Sequence, residues 1–298
     1  MAIPFVREMS FEYAVLQDVA PGLRRMVVNN PGGFTFHGTN TYVIGSDEVA
    51  VVDPGPRNEG HFNSLMKALN GETVTHILLT HTHMDHSPAA KPLKAATGAK
   101  TYGYGPHGSG KADTGIKVEE GGDMEFVPDV AIRHGGVIEG KNWNVECVYT
   151  PGHTSNHMCF ALPNKSGLIT GDHVMGWSTS VIAPPDGDME NYMASLDLLV
   201  DRKDKVLWPA HGDAIRNPEL FLREFIAHRH EREAQISECI GDGLIDIPAM
   251  VKRMYANVDE RLHRPAAMSV LAHLQYMVAT GRASCDGVPA MNSSYQNR

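Results

Sequence analysis

Thr80-His81-Thr82-His83-Met84-Asp85-His86-Ser87 follows the apolar run Ile77-Leu78-Leu79 and sets three histidines and one carboxylate within six positions. A buried strand would carry Val, Ile or Leu here, and an exposed turn Gly, Asn or Ser, so neither accounts for the stretch. Imidazole nitrogens beside a carboxylate are borderline ligands that suit zinc, and also iron, manganese or nickel. His81 and His83, one residue apart, point the same way from an extended segment, while Asp85 and His86 follow in a tight loop and face a second position. One stretch cannot close two sites, so further ligands must come from elsewhere in the chain.

Other apolar strands supply them. Val145 to Tyr149 reads as a strand ending in Thr150-Pro151-Gly152-His153, where the histidine is displayed rather than packed. His157 opens the next strand and reads as structural. Gly167 to Thr170 ends in Gly171-Asp172-His173, and Val206-Leu207-Trp208 runs into Pro209-Ala210-His211-Gly212-Asp213. Val49 to Val52 also ends on a carboxylate, Asp53-Pro54-Gly55, which reads as an Asx-type turn in preference to a ligand. Five apolar strands thus end in a charged or imidazole residue. Strands of two stacked sheets that converge on one edge would collect them there.

Between and around these strands the pattern predicts helices. One carries Phe62, Leu65 and Leu69 on a face and stops at Gly71, and another runs from Pro88 to Thr97 and stops at Gly98. A third, capped by Asp188, buries Tyr192, Met193, Leu196, Leu199 and Val200. Residues 11–30 read as paired strands around a Pro21-Gly22 turn. Gly105-Pro106-His107-Gly108-Ser109-Gly110-Lys111 matches a phosphate-loop pattern, but Ala112 stands where a Ser or Thr would hold magnesium. The following Asp113 to Val118 is poor helix material, so a nucleotide site is rejected. The stretch from Gly105 to Gly140 reads instead as a long insertion that walls the site.

The combination H-x-H-x-D-H, P-G-H, G-D and a final H-G is far more specific than any of its parts. Over about residues 11 to 217 the chain resembles the metallo-β-lactamase superfamily. That resemblance implies an α/β fold, the αββα sandwich, and a ligand set divided over two zinc ions. His81, His83 and His153 would hold one ion, Asp85, His86 and His211 the other, and Asp172 would bridge. The set resembles that of the dinuclear zinc hydrolases, such as glyoxalase II and class B3 lactamases. It departs from the flavodiiron branch, which has a carboxylate where His83 stands. Asn40-Thr41-Tyr42, Pro151-Gly152-His153-Thr154 and His228-Arg229-His230-Glu231-Arg232-Glu233 are similar to the β-lactamase-like branch that includes the mitochondrial endoribonuclease.

The implied enzyme is a dinuclear zinc hydrolase whose metal-bridging hydroxide attacks a small ester, thioester, lactone or amide. Alternatives on the same fold are a single-stranded RNA endonuclease and a mononuclear iron oxygenase. Asp85 is expected to help stabilise the leaving group's charge. His173, next to the bridging Asp172, is a candidate oxyanion donor or a supporting residue. Met175 and Trp177 are candidates for an apolar substrate wall and equally for core.

Residues 218–298 read as a separate C-terminal unit of three helices and a short wing over Arg282 to Val288, and resemble a winged-helix domain. The unit holds nine Lys and Arg against ten Asp and Glu, so no basic stripe marks a nucleic-acid face. A packing or homodimerisation module that helps wall the cleft is the favoured reading. His228 and His230 are read as surface or groove residues and Arg229 and Arg232 as solvent-facing. The net charge of −9 likewise weighs against counterion-driven nucleic-acid binding and for a small-molecule substrate. Absence of an 18-residue apolar run predicts no membrane span. No signal peptide is visible, and four cysteines without C-x-x-C spacing fit a reducing cytoplasm.

Overall fold

The computed structural model describes residues 3–109 and 121–298. Lys111 to Val118, on which the rejected phosphate-loop reading partly rests, lie outside the described residues. Two sheets form the centre of the larger unit. The first has seven strands in sequential order: β1 (Gln17–Ala20), β2 (Leu23–Val27), β3 (Asn40–Ser46), β4 (Glu48–Val52), β5 (Thr73–Leu78), β6 (Lys100–Gly103) and β7 (Val130–Ala131). Pairing is antiparallel as far as β4 and parallel beyond it. The second sheet runs β12 (Leu207–Pro209), β11 (Leu168–Gly171), β10 (Met158–Ala161), β9 (Asn144–Tyr149) and β8 (Val137–Glu139).

These strands read as nearly continuous apolar runs because both faces are covered. Side chains alternate with period two. Tyr42, Ile44, Ala50, Val52 and Leu78 meet Val145, Cys147, Met158, Phe160 and Ile169 between the sheets. Val43, Val49, Val51 and Ile77 point the other way, against Leu65 of α1 (Glu59–Ala68) and Leu93 of α2 (Ala90–Thr97). On the far side, Val148, Cys159 and Leu168 pack on Tyr192, Leu196 and Leu199 of α3 (Met189–Arg202). The result is four layers, αββα. Gly98 ends α2 in a left-handed conformation, and Asp188 caps α3 by accepting from the Asn191 N–H.

Of the paired strands expected over residues 11–30, the first begins only at Gln17. Ala14 has φ of 62°, which a strand residue does not adopt, and Tyr13 makes only an isolated bridge to Val27.

The 24-residue helix α4 (Pro218–Gly241) spans about 36 Å and belongs to both units. Phe221, Leu222 and Phe225 pack into the core under α3, while Ile236 and Ile240 join a second core with α5 (Ile247–Met254) and α6 (His263–Ala279). The wing is wider than expected: β13 (Ala283–Cys285) pairs with β14 (Tyr295–Asn297), not with residues before 288, because Tyr295 is fully buried in that second core. Arg229 does not face solvent. It is 3% exposed and bonds across to the larger unit. No described helix is long and apolar enough to cross a membrane.

Candidate metal centre

Strand ends place every residue of the centre. β5 delivers 80–87, β9 delivers His153, β11 delivers Asp172 and β12 delivers His211. Parallel pairing of β11 with β12, Gly171 opposite Pro209, brings Asp172 and His211 out side by side.

His81 Nε2 lies 3.0 Å and His153 Nε2 3.1 Å from His83 Nδ1. Asp172 Oδ2 stands 3.9 and 3.7 Å from those two Nε2 atoms. The neighbouring group is equally close. Asp85 Oδ2 is 3.1 Å from both His86 Nε2 and His211 Nε2. Asp172 reaches it as well, with Oδ2 3.6 Å from His86 and Oδ1 3.2 Å from His211. The described residues offer one group of His81, His83, His153 and Asp172 and another of Asp85, His86 and His211, with Asp172 facing both, and a third in which Asp53 lies against His81 and His86.

Hydrogen bonds fix which nitrogen faces inward. His153 Nδ1 lies 2.7 Å from the Val181 carbonyl and His211 Nδ1 3.2 Å from that of Gly38. A carbonyl only accepts, so Nδ1 carries a proton and Nε2 is the nitrogen that faces inward. The Thr80 hydroxyl donates to Asp53 (2.6 Å), which leaves its oxygen to accept from His81 Nδ1–H at 3.0 Å. Asp53 also accepts from His86 Nδ1–H at 3.0 Å and from the Thr80 N–H at 2.8 Å. Asp53 is thus not a local turn residue, as its Asp-Pro-Gly context suggested. Its carboxylate crosses to β5 and orients two ligand histidines. The signal was its place at the end of an apolar strand, shared with the other site residues.

Lone pairs of His81 and His153 converging on one point near 3 Å repel one another unless a cation or proton lies between them. His86 Nε2 and Asp172 Oδ1 are buried and make no well-aligned hydrogen bond, although Asp85 Oδ2 and His211 Nε2 stand 3.1 and 3.2 Å from them. An imidazole-rich set with two carboxylates and orphaned inward atoms fits divalent ions such as zinc. Electrostatics divide the two groups. Burial, reinforced by neighbouring imidazoles, holds His81 and His83 well below the usual histidine value. Burial opposes charge on His211 too, but Asp172 and Asp85 lift it to about 10. His86 is raised in the same way, and both carboxylates are held below their ordinary range by these histidines.

His173 is placed differently from the oxyanion-donor expectation. Its ring is fully buried, 4.7 Å from the Tyr192 ring, and burial pushes it down to about 3. The ring presents no exposed edge to a substrate oxygen in this structure. His157 is also fully buried. Its Nδ1 meets Thr150 Oγ1, and its Nε2 accepts the Asp172 N–H at 3.2 Å. Met175 belongs to the core, while Trp177 is half-buried and stacks on Phe36 with ring centroids 4.8 Å apart. Thr39, two residues after His37, donates its hydroxyl to Asp85 at 3.1 Å. The described ends of the 105–140 insertion run along the metal loop: Asp123 N–H donates to the Thr82 carbonyl, and Met84 N–H to that of Gly121.

Known proteins agree with this architecture. Residues 34–211 match the model of the metallo-beta-lactamase superfamily, and residues 247–288 that of the beta-lactamase associated winged helix domain. The lactamase-like protein adaB of Aspergillus niger is 27% identical over 287 residues, covering 90% of this chain and 83% of that protein. Thioesterase pkgB of Emericella nidulans is 33% identical over 232 residues, 74% of this chain and 61% of that protein. A beta-lactamase domain protein from Burkholderia ambifaria has the same fold, with a TM-score of 0.81 at 18% identity over 98% of this chain and 96% of that one. Strand-end ligands, four layers and a C-terminal winged helix all lead to one assignment: the chain belongs to the metallo-beta-lactamase superfamily and is a hydrolase.

Proposed function

We propose that this hydrolase holds two zinc ions and cleaves a small carbonyl ester, with a thioester as the favoured substrate. One observation carries the reading: seven side chains from four strand ends form two adjoining ligand groups that share Asp172. His81, His83 and His153 would hold one ion, Asp85, His86 and His211 the other, and Asp172 both. Bound zinc supplies a water of lowered pKa and a Lewis acid for the carbonyl oxygen. The chain's own residues do the rest. Asp53, Gly38 and Val181 keep the imidazoles in one tautomer, and Thr39 holds Asp85 in place. No serine or cysteine nucleophile is required. Cys147 and Cys159 are buried in the core, where burial lifts their thiols to about 11 and about 12. The likeness to thioesterase pkgB favours the thioester among carbonyl substrates.

The test is elemental analysis of zinc-reconstituted protein, followed by assays on an ester, a thioester, a lactone, a β-lactam and single-stranded RNA at two salt concentrations. Close to two zinc ions per chain, with thioester turnover that varies little with salt, is the expected result. His153→Ala should lose the first ion preferentially and Asp85→Ala the second. One ion per chain after reconstitution, or fast RNA cleavage with a steep salt slope, would replace this reading with the mononuclear or the nuclease alternative.

A further inference from the structure

The buried stripe of α4 runs Leu222, Phe225, Arg229, Glu233, Ile236 and Ile240 at intervals of three and four residues. Two charges in such a stripe are unfavourable as packing, since burying an ion costs several kcal/mol before its contacts repay it. Glu233 is compensated by His273 and Arg282 on the neighbouring elements of its own unit. Arg229 is held otherwise. Its Nη2 donates to a backbone carbonyl, that of Ser180, at 2.6 Å, and its guanidinium lies 4.9 Å over the Tyr192 ring. An apolar residue would fill this position at lower cost, so the contact calls for a reason.

The segment that Arg229 grips is the one behind the first ligand group. Ser180 Oγ donates to the carbonyls of Asp172 (2.6 Å) and His173 (2.9 Å). The next residue, Val181, accepts from His153 Nδ1–H. Tyr192, under the guanidinium, donates its hydroxyl to the His173 carbonyl at 2.8 Å. One arginine from the C-terminal unit thus anchors the peptide that sets the ring orientation of His153 and the backbone of Asp172.

We propose that Arg229 is a positioning residue for the first metal, through which the winged-helix unit completes the site of the catalytic unit. This rests on the two-ion reading above. Partners one shell removed from a metal change its affinity by about 10–100-fold when lost. The experiment is a zinc competition titration against a chromophoric chelator on the full chain. The two affinities are assigned with His153→Ala and Asp85→Ala, and melting temperature is followed alongside. Arg229→Met keeps the stem and loses the donor. It should weaken the His81, His83, His153 and Asp172 group at least about ten-fold and the Asp85, His86 and His211 group less than about three-fold. Arg229→Lys, which retains a donor, should recover most of the loss. Ser180→Ala leaves the bond from Arg229 to the Ser180 carbonyl in place and removes the hydroxyl that carries this anchor on to the Asp172 and His173 carbonyls. It should weaken the same group selectively, which keeps the proposal testable if the methionine variant does not fold. A purely structural arginine would lower the melting temperature and weaken both groups alike, or neither. That outcome, or unchanged affinities in Ser180→Ala, would overturn the proposal. A parent chain that binds no zinc at these groups would instead overturn the two-ion reading.

Discussion

The sandwich edge and helix α4 both bury polar side chains, but they do so by different means. At the edge, the buried polar groups stand where strands stop, and the loops fold them against one another, histidine to carboxylate, within 3–4 Å. In α4 the buried Arg229 and Glu233 sit in mid-element, and apart from His230 their partners come from other elements, namely the Ser180 loop, Tyr192 of α3, α6 and the residue before β13. An edge of strand ends is therefore a place to assemble a site. A helix that crosses from one unit to the other is a place to tie that site to a second body. The edge tolerates little change in backbone shape, whereas the helix tolerates it wherever its ends face solvent.

The sharpest way to break this contrast is a pair of glycines. Gly152, just before His153, has φ of +140°, and a Cβ built there would lie 2.4 Å from Tyr192 Cα and 2.6 Å from its nitrogen. The backbone at the start of α3 cannot yield as a flexible side chain does. Gly152→Ala should cost more than about 4 kcal/mol or leave no folded protein, read by urea unfolding. Gly241, at the end of α4, has only Asn297 Nδ2 near its would-be Cβ, at 3.9 Å. Gly241→Ala should be neutral or stabilise by up to about 1 kcal/mol. If the two substitutions cost the same, the edge is not the constrained region described here.

Asp53 gives the next effect. Asp53→Asn keeps the shape of the side chain but removes the charge that His86 Nδ1–H and the Thr80 hydroxyl donate to, and Thr80 in turn orients His81. We expect each ligand group to bind zinc about 10–100-fold more weakly, with unfolding changed little. Since Asp53 serves one histidine of each group, a loss confined to one ion would show that only one of its two relays operates.

The same contrast explains what could be read from the chain alone. His81 to His86, His153, Asp172 and His211 were legible because each breaks an apolar run with a residue that no core or turn calls for. The four layers were legible because strands covered on both faces lack polar alternation. The role of Asp53 is not legible because Asp-Pro-Gly is a sound turn signal, and nothing local reveals that Thr80 lies alongside in a parallel register of β4 with β5. The burial of Arg229 is not legible because Arg and Glu four apart on a long helix look like an ordinary exposed pair. The far edge of the wing is not legible because the residue that closes it, Tyr295, comes after a run of Pro, Asn and Ser that signals only loop. Local pattern reports what a residue is next to in the chain. These three depend on what crosses over from another element.

The smallest effect tests whether the helix charges are compensated as described. Glu233 is 5% exposed at its side chain and faces His273 Nδ1 and His230 Nδ1, each at 3.5 Å, as well as the Arg282 guanidinium. Burial pushes its carboxyl upward, but the His273 and Arg282 hydrogen bonds prevail and hold it at about 2, below the ordinary 4.5. A carboxyl whose pKa falls on folding stabilises the folded state above its unfolded value and loses that contribution as the pH drops through its folded value. The parent should therefore exceed Glu233→Gln in stability by about 1–2 kcal/mol at pH 5 to 8, as for a hydrogen bond to a charged group. That gap should narrow between pH 4.5 and 2 as the parent's carboxyl takes up its proton. His273, pushed down to about 4 by burial but lifted by Glu233, loses that lift in Glu233→Gln, so its own titration offsets part of the narrowing below pH 4. Urea unfolding of the two proteins at pH 7, 4 and 3 reads the difference directly. A gap that stays constant down to pH 3 would mean that Glu233 is not held by charge, and that α4 buries it for reasons of shape alone.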